Sequence, residues 1–169
     1  QGMSKEDFYV KVLQYDLLAK STENRAQDIV KRVFFRRFWR DKKFDPVYHL
    51  KALREKHVSL NVIRQILLIY TCRVNPILQD FIQEVYHSSV AKGYNKLTIA
   101  DYQDFIKEAI KEGIIDPPWA ESMVARVGRY LNAALVDFGL IDKEKNIRPF
   151  QVYDETVFYL AHELHFRGY

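Results

Sequence analysis

A few places in the chain hold residue types that could do covalent or metal chemistry. His162-Glu163-Leu164-His165 sets two imidazoles at i and i+3 around a carboxylate. A zinc-protease helix needs His at i and i+4 with an adjacent Glu, so that both rings reach one ion from the same face. Here the spacing differs and no third ligand is evident, so the segment reads as an amphipathic C-terminal helix that binds no metal. Cys72 is the single cysteine. It sits in the most apolar helical stretch, where a thiol behaves as a small hydrophobe rather than a nucleophile. One thiol builds neither an intrachain disulfide nor a Cys-based zinc site. Asp101, Asp104 and Glu108 read as helix-surface acids without the complementary ligands of a nuclease. The six Gly are scattered and form no loop that could cradle a phosphate. The expectation is a protein that is not an enzyme and carries no catalytic residue, metal or cofactor.

The remaining chemistry is that of cations. Between Arg25 and Lys56 there are eleven Lys/Arg against four Asp/Glu. That segment carries +7, so with a total of +4 the rest of the chain carries −3. A charge gathered in one region points to an anionic partner, and the competing reading is a solvated helix face. Spacing residues about 100° apart on a helix places Arg25, Arg32, Arg36 and Arg40 on one flank, with Phe35 and Trp39 beside it. Arg37 falls inside the apolar stripe, and Lys42 and Lys43 follow the helix. Guanidinium groups along one flank can track a phosphate backbone. Thr22 and Asn24, at the helix start, can donate to phosphate. Few local acids balance this charge, which favours the functional reading.

A second constellation lies between Thr98 and Val152. It reads as helix, tight turn, longer helix, Gly139, short strand, charged tip, short strand. That order outlines a winged helix-turn-helix, whose second helix enters the major groove while the hairpin touches the backbone. Ser122, Arg126 and Arg129 project away from the apolar stripe of the longer helix and are the candidates for groove contact. Lys143, Lys145 and Arg148 on the hairpin would meet phosphates. Winged helices also serve as protein-docking modules. In that alternative, Phe35 and Trp39, read as exposed, would be the anchors.

The elements that must position these residues follow from helical periodicity and caps. Helices are expected from Ser4 to Ala19, with Ser4 and Asp7 as a capping box, and from Ser21 or Thr22 to about Trp39. Others run from Pro46 to about Lys56, after Ser59, from Pro76 to Lys92, and after a Thr98/Asp101 capping box as far as Gly113. The last two run from about Trp119 to Phe138 and from Asp154 to about His165. Residues 140–150 read as a two-stranded hairpin. The fold class is therefore all-α, mostly helical, with a small β-hairpin wing. The expected division is an N-terminal helix-turn-helix-like module over 1–58, central buried helices over 59–95 and a winged helix-turn-helix over 96–169.

The longest apolar run, Ile66 to Tyr70, is far short of the roughly 20 residues that span a bilayer. The start, Gln1 to Lys11, is charged and amphipathic rather than a secretory signal. Gln1 and Gly2, ahead of Met3, read as a cloning remnant. A lone thiol fits a reducing compartment, so the expected location is the cytoplasm, with no membrane partner. The sequence leaves the oligomeric state open.

Several stretches together resemble one family. They are Ser21-Thr22-Glu23-Asn24-Arg25 leading into the basic helix, and Cys72-Arg73-Val74-Asn75-Pro76 before the Phe81 helix. Leu97-Thr98-Ile99-Ala100-Asp101-Tyr102-Gln103-Asp104-Phe105 is a third. The last is Asp137-Phe138-Gly139-Leu140-Ile141-Asp142, with Ile147-Arg148-Pro149 after it. From about Ser21 onward the chain resembles the BrxA family, small accessory proteins of bacterial BREX phage-defence systems. The resemblance implies a helical protein with helix-turn-helix or winged modules that binds double-stranded DNA with little sequence preference. It also implies action beside a methyltransferase and other BREX components.

Overall fold

Side-chain caps decide where the helices begin, and the computed structural model, which describes residues 3–20, 22–39 and 44–168, holds most of the expected ones. Helix α1 (Lys5–Gln14) starts at Ser4, whose Oγ accepts from the Asp7 N–H at 3.0 Å. Helix α2 covers residues 23–38 and starts at Thr22, whose Oγ1 accepts from the Arg25 N–H at 3.2 Å. In α3 (Pro46–Glu55) the Asp45 carboxylate accepts from Val47 and Tyr48 N–H, with Pro46 in the first turn. Helix α4 is Leu60–Cys72 and α5 covers residues 76–91. Helix α6 (Ile99–Lys111) opens with the full Thr98/Asp101 capping box. Helices α7 (Glu121–Asp137) and α8 (Asp154–Arg167) complete the order. Each such cap contributes about 1 kcal/mol by satisfying an N–H that the helix itself leaves open.

Three departures from the sequence expectation have local causes. First, α1 stops at Gln14 rather than Ala19, because Asp16 and Ala19 take left-handed backbone (φ 43° and 46°). That conformation cannot propagate a right-handed helix. Second, the middle of α2, Ile29–Phe34, winds wider, with the Phe35 N–H bonded to the Val30 carbonyl five residues back. The wider turn rotates the last turn of α2 relative to a regular helix. Phe35 and Trp39 are consequently half-buried rather than exposed. They pack with Phe34 and with Phe8 of α1 at ring separations of 5.6 to 6.3 Å, and Phe8 and Phe34 stack on each other at 4.7 Å. A similar wide turn, Ile82–Tyr86, lies within α5.

Third, no strand forms among the described residues, so the expected hairpin wing is absent as a hairpin. Ile141 and Ile147 make one isolated antiparallel bridge, and Lys96 and Asn146 another. The Asp142 carboxylate accepts from both the backbone and side-chain N–H of Asn146, at 2.8 and 2.9 Å. These bonds hold the Asp142 carboxyl below the usual carboxylate range and close the turn within four residues. Leu140 and Ile141 are already buried at its base, so no length remains for projecting arms. The turn leans on the segment before α6 instead, with Leu97 N–H bonded to Lys145 O and Ile147 N–H to Asn95 O.

The chain packs as two compact units. The first is built from both ends of the sequence, residues up to 59 and from 157 on; the second is residues 60–156. The core of the second unit gathers Leu78, Phe81 and Tyr86 of α5, Tyr102 and Ile106 of α6, and Val124, Leu131 and Leu135 of α7. Gln65, buried in α4, fastens the segment that enters α8. Its Nε2 donates to Gln151 O, and its Oε1 accepts from Thr156 Oγ1 at 2.8 Å and Tyr153 N at 3.3 Å. A buried amide satisfied on both sides avoids the penalty of an unpaired polar group.

In the first unit the Phe44 and His49 rings stack in parallel at 4.3 Å, with Tyr159 and His162 of α8 edge-on to them. Beside them the fully buried Glu163 pairs with Arg167 at 2.7 Å. Burial lowers the His49 pKa, and the neighbouring His162 adds to the effect, against smaller opposing pulls from Asp45 and Glu163. The unfolded chain takes up this proton near the ordinary imidazole value of about 6.5; the folded unit holds it off to lower pH. Between those values the unfolded state binds more protons. The stability contributed by neutral His49 is therefore complete above about pH 6.5 and lost as pH falls through the folded value. His49→Phe keeps the stack and removes the titration. Urea midpoints taken at about pH 7.5 and about pH 5.5 are expected to differ less for the variant than for the parent. An equal acid-side loss in both proteins would refute this role of His49.

Candidate nucleic-acid interface

The geometry of α7 starts with what it buries. Val124, Gly128, Leu131 and Leu135 form its inner stripe. At Gly128 an added Cβ would sit 3.3 Å from the Tyr102 Cβ, a tight contact that a few tenths of an ångström of movement would have to relieve, so glycine favours the close approach of α7 to α6. Tyr102 in turn stacks on Phe81 at 4.8 Å and donates its hydroxyl to Asn132 Oδ1 at 3.1 Å. Burial pushes the Tyr102 phenol well above its ordinary value, and it stays a neutral donor. With this stripe inward, the 3.6-residue period leaves Ser122, Arg126, Arg129 and Tyr130 exposed on the outer side.

The first turn of α7 borders a hollow of about 590 Å³, lined by the Asp116-to-Ala120 turn and by Ser122, Met123, Arg126 and Arg129. Ala120 supplies no side-chain cap, so the opening N–H groups of α7 face no side-chain acceptor of their own, and helix-end N–H groups of this kind favour anions. An Arg126 guanidinium nitrogen lies 3.0 Å from Met123 Sδ. Arg129 also lines a neighbouring cavity of about 400 Å³ with Lys145, Gln103 and Asn132. Lys145 reaches that position from a left-handed backbone, φ 68°, at the end of the tight turn.

The expected site residues therefore divide. Ser122, Arg126 and Arg129 share one face of α7, and Lys145 joins Arg129. Lys143 is exposed on the turn. Arg148 lines a different cavity, beside Asn61, Arg64 and Gln65. In the first unit Thr22, Asn24, Arg25, Arg32 and Arg36 are all exposed. Thr22 already serves as a cap, and the Arg32 guanidinium is held by Asp28 at 3.2 Å. Such an exposed i, i+4 pair is weak and leaves Arg32 able to exchange partners. Arg37 is half-buried. Arg40, Lys42 and Lys43 lie outside the described residues. Tyr130, exposed beside Arg129, belongs to the same face of α7, while Lys31 on α2 is exposed over the Tyr9 ring at 4.9 Å. Helical spacing from Arg126 could have flagged Tyr130, four residues on.

The BrxA family profile matches residues 1–163 of the 169. The chain belongs to the BrxA family. BrxA proteins are associated with BREX phage defence, and this assignment rests on almost the full length of the chain rather than on the α7 face alone. No curated protein matches it. Among the described residues of this BrxA chain, no helix is long and apolar enough to cross a membrane.

Replacing Gly128 by Val tests the seating of α7. The added branches meet Tyr102, and overpacking of this kind costs about 1–3 kcal/mol. A drop of that size in urea-unfolding stability is expected. A variant as stable as the parent would show that α7 is not held by this approach.

Proposed function

We propose that this BrxA-family protein binds double-stranded DNA, largely without sequence preference, and does no covalent chemistry itself. The observation that carries the reading is the set of cations and donors around the start of α7. Ser122, Arg126 and Arg129 are exposed together there, with Lys145 next to Arg129. Guanidinium groups beside open helix N–H groups suit phosphate oxygens, and Arg can also read guanine edges in the major groove. The order of elements adds support: a bridged segment at 95–97, α6, α7, then a turn bridged back onto 95–97. In this reading the order corresponds to a winged helix with its sheet reduced to single bridges, and α7 would be the groove helix. The exposed Arg25, Arg32 and Arg36 of α2 offer a second set of phosphate contacts. His162 and His165 are read as packing residues: their rings lie 4.6 and 5.4 Å from Phe166. In this reading the protein works beside other BREX components, lending them a hold on DNA.

The alternative, a docking module for other defence subunits anchored by Phe35 and Trp39, loses its anchors, since those rings are taken up by the aromatic cluster with Phe8 and Phe34.

Anisotropy titration of a random-sequence duplex at about 50 mM and about 200 mM salt tests the proposal. Binding is expected to weaken steeply with salt. Each arginine that touches phosphate should contribute about 1 to the slope of log affinity against log salt. Arg126→Glu with Arg129→Glu should lower both affinity and slope. Absence of binding at the lower salt, or an unchanged slope in the double variant, would remove the assignment.

A further inference from the structure

Opposite in character to the α7 face is a groove of about 670 Å³ in the same unit, between α5, α6 and the turn that leads to α7. Its floor is apolar: Ile77 and Val85 of α5, Phe105 and Ala109 of α6, and Ile115 and Trp119. Its rim is acidic. Asp80 and Glu84 are four residues apart on α5, Asp104 and Glu108 are four apart on α6, and Glu112 caps the C-terminus of α6. Of these, Glu108 pairs with Lys111 at 2.7 Å. Among the described residues, Asp80, Glu84, Asp104 and Glu112 have no cation within ion-pair distance. Ile114 stands at the edge with 73 % of its surface exposed. Gly113, with φ 74°, ends α6 and turns the chain so that Ile114 and Ile115 come back over Ala109, to whose carbonyl both of their N–H groups bond.

We propose that this groove docks a basic amphipathic helix of a partner protein. The charge complementarity is specific in arrangement. Two rows of carboxylates, each at i, i+4 spacing, flank an apolar strip. A helix that lays Leu, Ile or Met into the strip and projects Lys or Arg on both sides meets each row. Nucleic acid is repelled by the same carboxylates, so the occupant is a protein. A second copy of this chain is disfavoured, because the apolar side of its most basic helix, α2, is spent on the ring cluster with Phe8. Trp119 lines both this groove and the hollow at the start of α7. One unit thus presents a cationic surface and an anionic one on either side of a single indole. The inference does not depend on DNA binding.

The probe is a fluorescein-labelled amphipathic peptide with leucines on one face and lysines and arginines on its flanks, titrated with the full chain. Controls are a peptide of the same composition, shuffled to abolish the apolar face, and the variants Glu84→Lys with Asp104→Lys, and Ile114→Ser. All three positions are exposed, and circular dichroism verifies that the variants fold. The amphipathic peptide is expected to bind about tenfold tighter than the shuffled one, and the charge-reversed variant to lose about tenfold. Ile114→Ser should weaken binding less but measurably, while the random duplex binds the charge-reversed variant no more weakly than the parent. Equal binding of both peptides, unchanged affinity in the charge-reversed variant, or no peptide binding at low salt overturns the proposal. So does a parent protein that sediments as an oligomer dissociated by the charge reversal, since a second copy would then fill the groove.

Discussion

The second unit depends on how closely two helices approach at Gly128. With no side chain there, α7 rests against Tyr102, which is itself stacked on Phe81 and tied through its hydroxyl to Asn132. Three helices are thereby fixed around one aromatic pair. Packing of this density admits little adjustment, so the angular position of every outward residue of α7 is set by the inward ones. The cationic face is a by-product of that seating: once Gly128 and Leu131 point in, Arg126, Arg129 and Tyr130 have only the outside left.

The same seating separates two electrostatic environments. On one side of Trp119 the uncapped start of α7 adds its open N–H groups to those of two arginines. On the other, five carboxylates surround apolar side chains. The net charge of +4 conceals both. Under the proposed reading such a split matters, because each surface rejects the other's ligand.

Much of this was legible in the sequence, for reasons that can be named. Caps are local, so Ser4, Thr22 and Thr98 announce helix starts within a few residues of themselves, whereas Asp45 reads in the sequence only as the start of a loop. The outward set Ser122, Arg126 and Arg129 follows from period alone. The hairpin over 140–150 was not readable correctly, because its length is limited by the Asp142–Asn146 bonds and by the early burial of Leu140. Phe35 and Trp39 were misplaced because a single wide turn inside α2 rotates everything after it. Lys145 and Arg148, three residues apart on one turn, line different cavities, which no spacing rule reports. The acidic groove was invisible for a different reason. Asp80 with Glu84, and Asp104 with Glu108 and Glu112, each look like an ordinary solvated helix surface until α5 and α6 lie side by side.

The first unit draws its residues from the two ends of the chain. Tyr159 and Glu163 of α8 are buried there against partners such as Phe44. On a ribosome, residues 60–156 could therefore assemble while the earlier-made segment still waits for its closing helix. For that interval the Phe44–His49 stack lacks its edge-on neighbours, and the basic α2 is tethered to an incomplete body. The segment made before residue 60 thus completes its packing only once the residues beyond 156 have been made.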